Sequence, residues 1–166
     1  MIRTPGGLLE VSAMEKVEEF GWHTSWECPL VDCSKLPKTF SKVRVKAHYI
    51  YQIPLAAEWR LEPAGDHYNL KVPALQLRRP VAFDTATMEI ETTRGVFSPA
   101  AAPNRENAIR HIGPELAQRG EAATYKDAQQ RPAEKTVREF AQKWMIEQGK
   151  KPTRRITVLF TGANPL

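Results

Sequence analysis

Two cysteines are the residues of this chain whose types and spacing come nearest to a chemical site. Cys28 and Cys33 are separated by four residues, and a disulfide between them would close a small loop and indicate an oxidising compartment. The same spacing admits a metal ion with His23 or His48 as further ligands, although structural zinc sites usually combine two tight cysteine pairs. The third interpretation is a pair of buried thiols that pack as small apolar side chains. The spacing leaves all three open.

The histidines offer no recognisable catalytic motif. They are scattered over the chain at His23, His48, His67 and His111. The sequence also contains no G-x-S-x-G, no H-E-x-x-H, no phosphate-binding P-loop and no G-x-G-x-x-G. A site assembled only by the fold is the remaining route to catalysis, and His48, His111 and Asp84 are its candidates. We therefore assign no catalytic, cofactor-binding or metal-binding residue, and a hydrolase-type enzyme stands as the alternative function.

Positive charge is in modest excess. The formal net charge is +5, and lysines and arginines alternate with glutamates along most of the chain, which is typical of a solvated surface. A basic patch is formed by Lys150, Lys151, Arg154 and Arg155, between the end of a helix and the next strand. Cations at a helix C-terminus stabilise the helix by themselves. We therefore do not expect nucleic acid as a partner, and keep a weak nucleic-acid-binding module as a further alternative.

Length and composition indicate one folded domain over residues 1–166. A chain of 166 residues is close to the usual domain size and can bury a sizeable core without a metal or a disulfide framework. Apolar residues make up 42% and charged residues 26%, as in globular and unlike disordered proteins. No run approaches the roughly 18 apolar residues that span a bilayer, and no signal-peptide pattern is present.

Alternation of apolar and polar residues predicts the strands. It is clearest over residues 42–53, where Tyr49 and Tyr51 share the apolar face and are expected in the core. Pro54 ends this strand. Further strands are expected over Leu8–Phe20, in a hairpin of Glu58–Glu62 with His67–Val72 around a four-residue turn, and over Val81–Thr93 with a bulge near Asp84-Thr85.

The stretch between the first two strands is irregular. Residues 21–41 hold both cysteines and the large apolar side chains of Trp22, Trp26, Leu30, Val31 and Leu36. Such side chains are usually buried. We therefore expect a packed excursion and not a free linker.

In the second half of the chain the apolar spacing changes to three and four residues, which predicts helices. A first helix is expected from about Asn104, interrupted at Gly113-Pro114, and a second from Glu121 to Gly149. Pro132 cannot donate a backbone hydrogen bond, so we predict a kink or break there. A last strand, Arg155–Phe160, returns to the sheet. The order predicts an α+β fold, with a mostly antiparallel sheet covered on one face by C-terminal helices.

Several segments of the chain resemble a family of uncharacterised bacterial proteins. The matching segments are RTPGGLLEV (3–11), VRVKAHYIY (43–51), LAAEWRL (55–61), PVAFDTA (80–86), TVREF (136–140) with KW (143–144), and VLF (158–160). They cover most of the chain apart from the stretch with the cysteines. The resemblance implies no activity, so no catalytic residue is carried over from it.

Members of this family look like proteins with one N-terminal membrane helix followed by this domain. The resemblance therefore implies the soluble part of an anchored protein that faces the periplasm, and a cytoplasmic location is the alternative. The order of strands, long helices and closing strand is also similar to band-7 (stomatin-like) domains, which does not by itself imply a function. Together with the missing catalytic motifs, this favours a non-catalytic binding or scaffold domain of a membrane-associated protein. Its expected partner is a protein or a second copy of the chain.

Overall fold

The computed structural model describes residues 7–55, 59–147 and 155–161. Within these ranges the elements are, in order, β1 (Leu8–Thr24), β2 (Thr39–Pro54), β3 (Arg60–Ala64), β4 (His67–Pro73), β5 (Gln76–Leu77), β6 (Ala82–Thr93), α1 (Ala101–Glu121), α2 (Ala123–Glu147) and β7 (Arg155–Thr161). Strands precede the helices and a strand closes the order, so the predicted α+β class is confirmed. No helix in these ranges combines the length and the apolar character that crossing a bilayer requires.

The alternating pattern of β2 decides which of its faces is buried. Successive side chains of a strand point to opposite faces. The fully buried face consists of Thr39, Ser41, Val43, Val45, Ala47, Tyr49, Tyr51 and Ile53. The predicted alternation, the core positions of the two tyrosines and the strand end at Pro54 are therefore confirmed. The strand begins three residues before the predicted start, because Thr39 and Ser41 are buried through side-chain hydrogen bonds.

The chain divides into two units, and the long strands β1 and β2 contribute residues to both. Unit one contains the described residues of 1–14, 49–78 and 120–166, and unit two contains residues 15–48 and 79–119. Each unit therefore draws on segments that are distant in sequence. The assignment of residues 1–166 to one domain remains a prediction.

In unit one, a sheet has the strand order β3-β4-β7. β3 and β4 form an antiparallel hairpin in which Ala64 pairs with His67. The turn therefore has two residues, Gly65 and Asp66, and the predicted four-residue turn is wrong. Gly65 has a φ of 64°, which a glycine adopts without steric cost. β7 lies parallel to β4, and the helices supply the crossover connection that a parallel pair needs.

Helix α2 packs on this sheet through β7. Arg138 Nε donates a hydrogen bond to the Ile156 carbonyl at 3.0 Å, and the rings of Trp59 and Phe140 meet edge to face at 5.7 Å. The buried positions of the helix recur every four residues, at Gln129, Ala133, Val137, Ala141 and Met145. Apart from Gln129, these residues form the apolar stripe of an amphipathic helix.

The last turn of α1 lies against the tyrosines of β2 in unit one. The Tyr51 hydroxyl donates to the Gly120 carbonyl at 2.8 Å. A Cβ atom at Gly120 would lie 2.9 Å from Tyr49 Cδ1 and 2.7 Å from Leu77 Cδ2, closer than carbon atoms approach. Glycine therefore permits the close approach that buries both tyrosines.

In unit two, β2 pairs antiparallel with β6. The register shifts between Arg44 and Lys46, where extra β6 residues form a bulge. The Asp84 carboxylate stabilises the bulge by accepting hydrogen bonds from the Ala86 amide at 2.9 Å and the Thr87 hydroxyl at 3.0 Å. The predicted bulge is therefore confirmed.

The predicted interruption of α1 at Gly113-Pro114 and a break of α2 at Pro132 are wrong, whereas a kink of α2 at Pro132 stays a prediction. α1 runs through Gly113-Pro114 and α2 runs through Pro132, and one residue separates the two helices. A proline inside a helix costs about 3 kcal/mol. Ile112 and Leu116 are fully buried on either side of Pro114, and each buried side chain of this size contributes about 1.5–3 kcal/mol. Together these two side chains contribute about 3–6 kcal/mol, which offsets the proline penalty in α1. Gly149, the predicted helix end, lies outside the described residues.

Candidate binding surface on two braced loops

Two loops of unit two expose large apolar side chains to solvent. These paired loops are residues 25–38, between β1 and β2, and residues 94–100, between β6 and α1. The four most exposed large apolar side chains of the described chain, here called the apolar tips, are Leu30 (93%), Phe97 (81%), Val96 (78%) and Val31 (70%). Soluble monomers rarely leave such side chains together in solvent. The paired loops are therefore the candidate site.

The first loop is held in shape close to its apolar tips. Cys28 and Cys33 form a disulfide with a Cα–Cα distance of 6.0 Å. The Asp32 carboxylate accepts a hydrogen bond from the Ser34 amide at 2.9 Å, and the Leu36 amide donates to the Cys33 carbonyl at 3.0 Å. The Ser34 amide also lowers the pKa of Asp32, which is therefore charged at neutral pH. The loop is a defined turn and not a slack connection.

The second loop is tied to the first by hydrogen bonds. Trp26 Nε1 donates to the Phe97 carbonyl at 2.8 Å. The Ser98 hydroxyl accepts from the Gly95 amide at 3.0 Å and donates to the Lys38 carbonyl at 3.3 Å. Phe97 has a φ of 68°, a conformation that costs a non-glycine residue about 1–3 kcal/mol. The bonds on either side hold it in this conformation.

A buried asparagine of α1 clamps the strand ends from which the first loop leaves. Asn104 Nδ2 donates to the Thr24 hydroxyl at 2.8 Å and to the Thr39 carbonyl at 3.1 Å. Thr24 is the last residue of β1 and Thr39 the first of β2. The Ser41 hydroxyl donates to Asn104 Oδ1, and the Thr39 hydroxyl donates to the Pro99 carbonyl of the second loop. This network contains no nucleophile beside a base, so its role is to position the paired loops.

Exposed charged side chains lie on the same loops as the apolar tips. Lys35, Lys38 and Arg94 are exposed on the paired loops, and so are Glu27 and Asp32. Three cations against two carboxylates leave the paired loops with a net charge of +1. The paired loops therefore combine apolar tips with a small excess of positive charge.

The predicted packed excursion over residues 21–41 is wrong in the middle of that stretch. Trp22 is half-buried, but Leu30 and Val31 point into solvent, so residues 21–41 are not a packed excursion throughout. The sequence did indicate this exposure, because Pro29 directly precedes the pair Leu30-Val31 and Gly95 directly precedes the pair Val96-Phe97. Proline and glycine mark turns at the surface. Apolar pairs that follow them can be exposed.

The candidate catalytic residues do not converge. The Nδ1 atom of His48 lies 3.1 Å from Glu15 Oε1, while His111 stacks on Trp22 with ring centroids 3.7 Å apart. Asp84 is used by the β6 bulge, and the hydrogen bond from the Ala86 amide is the main cause of its lowered pKa. No contact joins two of the three candidates in the described ranges, nor do three potential metal ligands come together there.

The other face of β2 in unit two carries paired charges. Lys42 Nζ and Arg44 Nε lie 3.2 and 3.4 Å from the Glu19 carboxylate, and Lys46 Nζ lies 2.6 Å from that of Glu15. The hydrogen bond from Lys46 is the main reason why the pKa of Glu15 is lowered. A shallow depression of about 170 Å³ is lined by such pairs. These charges satisfy one another, so this face resembles a solvated surface and not a ligand site.

The predicted basic patch falls mainly on residues beyond the described ranges. Lys150, Lys151 and Arg154 lie outside the described residues. Arg155 begins β7 and is exposed. The patch therefore stays a prediction.

Comparison with known proteins identifies no relative of this chain. No family model, no curated protein and no solved structure matches it. The resemblance to a membrane-anchored family and the likeness to band-7 domains stay expectations from the sequence. The role of the chain is therefore inferred from its own residues.

Proposed function

We propose that this chain is a non-catalytic binding module of a membrane-associated protein, and that the paired loops are its binding surface. The observation that carries the proposal is the grouping of the four apolar tips on two loops that are braced to each other. Exposed apolar groups on positioned loops commonly mark interaction sites. The alternative of a hydrolase lacks such support, because His48, His111 and Asp84 each have separate local partners.

The bracing of the loops favours binding. A loop that is ordered before it meets its partner loses less conformational entropy on association than a slack loop. Here the disulfide, the Trp26–Phe97 hydrogen bond and the Asn104 clamp order the surface in advance. The unfavourable φ of Phe97 is also maintained by this frame, and such outliers concentrate at functional sites.

The disulfide also supports the proposed location. Disulfides persist in oxidising compartments such as the bacterial periplasm and are rare in the cytosol. The pair Cys28–Cys33 lies on the proposed binding surface itself. We therefore propose that the module works at the periplasmic side of a membrane.

Photo-crosslinking tests whether the paired loops are the binding surface. A benzophenone amino acid replaces Phe97 in one variant and Val17 in the control, because Val17 is 51% exposed on β1 away from the paired loops. Each variant is irradiated with the membrane fraction of cells that express it, and adducts are identified by mass spectrometry. Identified adducts, with lipid or with protein, that form from position 97 in excess of those from position 17 support the proposal. Equal or no adducts from the two positions would contradict it.

A further inference from the structure

We infer that the partner of the paired loops is the surface of an anionic lipid bilayer, into which the apolar tips insert. This inference rests on the proposed function and names the partner of that same surface. Three features carry it: the shape of the apolar tips, the hydrogen bonding within the paired loops and the charge on these loops.

The apolar tips protrude from the surface. A side chain that is more than two thirds exposed touches little of its own protein, and all four tips are at least 70% exposed. Protein partners usually bind aromatic and apolar anchors in well-packed pockets that match their shape. Lipid acyl chains rearrange around any protruding group, so a bilayer needs no matching pocket. Amphipathic elements that lie at the membrane interface bury their apolar groups roughly 5–10 Å deep.

Several polar groups of the paired loops are already hydrogen-bonded. Unpaired backbone groups are costly in hydrocarbon, but the amides of Ser34, Leu36 and Ser98 donate within the paired loops. Trp26 is half exposed and its indole N–H already donates to the Phe97 carbonyl. Tryptophan is enriched at the headgroup level of membranes. The loops can therefore meet a membrane without leaving these donors unpaired.

The charge of the paired loops suits an anionic membrane. Lys35, Lys38 and Arg94 are exposed on the same loops as the tips and exceed the two carboxylates of the paired loops by one charge. A cation close to an anionic membrane strengthens binding about fivefold at moderate ionic strength. The whole chain has a formal net charge of +5, which adds attraction at longer range. Binding should therefore require anionic lipid and weaken as salt is added.

Vesicle flotation tests the inference with the full chain. The vesicles contain phosphatidylcholine alone or phosphatidylcholine with three tenths phosphatidylglycerol. We expect the wild-type chain to float with the anionic vesicles and not with the neutral ones. The Leu30→Ser/Phe97→Ser variant should lose at least tenfold in affinity, because two large apolar side chains no longer insert. Replacing Lys35, Lys38 and Arg94 by glutamine should weaken the preference for anionic lipid.

Control variants separate insertion from general hydrophobicity and from unfolding. Val17→Ser/Ile109→Ser removes two apolar side chains that are 51% and 42% exposed outside the paired loops, and should float like the wild type. Far-UV circular dichroism verifies that each variant is folded. Loss of binding in this control as large as in the tip variant would overturn the inference.

The outcomes distinguish the partner from the proposed function. A wild-type chain that does not float with anionic vesicles overturns the bilayer as partner. If position 97 nevertheless crosslinks to an identified protein or to a second copy, the paired loops are a binding surface and the occupant is that protein or copy. If position 97 gives no more adducts than position 17, with lipid or with protein, the proposed function falls as well.

Discussion

Replacing Arg119 with methionine should strongly destabilise unit two. The Glu18 side chain is only 3% exposed, and its carboxylate accepts a hydrogen bond from Arg119 Nη1 at 2.6 Å. The guanidinium also donates to the Glu115 carboxylate at 2.8 Å. Burial by itself would lower the pKa of Arg119, but hydrogen bonds to Glu18 and Glu115 outweigh it and raise the pKa, so the side chain stays charged. Methionine keeps the apolar stem but leaves the buried carboxylate without this partner.

The size of the effect follows from the burial of Glu18. Removing one partner of a buried ion pair costs about 3–5 kcal/mol. Two features reduce this cost here, because the Arg119 side chain is 28% exposed and Lys16 Nζ lies 3.9 Å from the Glu18 carboxylate. We therefore expect the free energy of unfolding to fall by about 2–4 kcal/mol.

Urea unfolding followed by far-UV circular dichroism measures the loss. The Glu18→Met/Arg119→Met variant removes both charges and should recover at least half of it, because no buried charge is left alone. Arg110→Met is the matched control, since Arg110 pairs with Glu106 at 4.0 Å on the exposed side of the same helix. That control should change stability by less than about 0.5 kcal/mol. An Arg119→Met variant as stable as the control, or a double variant no better than the single one, would refute the reasoning.

Three further predictions concern the braces and the core. Cys28→Ser/Cys33→Ser should lower the free energy of unfolding by about 2 kcal/mol, as expected for so short a closed loop. Urea unfolding of the wild type with reductant present should show the same loss. Asn104→Ala should lower the free energy of unfolding by about 2–3 kcal/mol, because its buried hydrogen-bond partners are left unsatisfied. The same variant should speed hydrogen exchange in both paired loops. Unchanged exchange would show that Asn104 does not clamp the loops. Burial raises the pKa of Tyr51 to about 12, while an unfolded tyrosine ionises near pH ~10. Because the native state holds this proton more tightly, stability should be constant below pH ~10 and fall by about 2 kcal/mol towards pH ~12. Tyr51→Phe loses the hydrogen bond to Gly120 and about 1 kcal/mol of stability at neutral pH. Its free energy of unfolding, measured by urea unfolding at a series of pH values, should not fall between pH ~10 and pH ~12.

The parts of the fold that could be predicted from the sequence have local patterns. β2 alternates between apolar and polar residues with a period of two over residues 42–53, so the buried face of this part and both core tyrosines followed from the sequence. The phase change in β6 near Asp84 likewise indicated the bulge, because a one-residue slip moves side chains to the other face. In both cases the determining residues are neighbours in the chain.

The rest depends on residues that are distant in sequence. Pro114 and Pro132 stop a helix by local rules, but the buried stripes that carry the helices through them depend on the sheets. Asn104 meets Thr24 and Thr39 across 80 and 65 positions, and no local motif predicts such a clamp. The exposure of Leu30 was missed because its hydrophobicity argues for burial, although Pro29 directly before it marks a turn at the surface.

Hydrogen–deuterium exchange of the chain, free and bound to membranes of its own cells, tests the central claim most directly, because it compares all parts of the chain at once. Protection on binding should be concentrated in the paired loops, residues 25–38 and 94–100. The charged face around Lys42 and Arg44 should exchange at the same rate in both states. Protection that falls on that face, or on β7 from Arg155 onwards, and spares the paired loops would contradict the account.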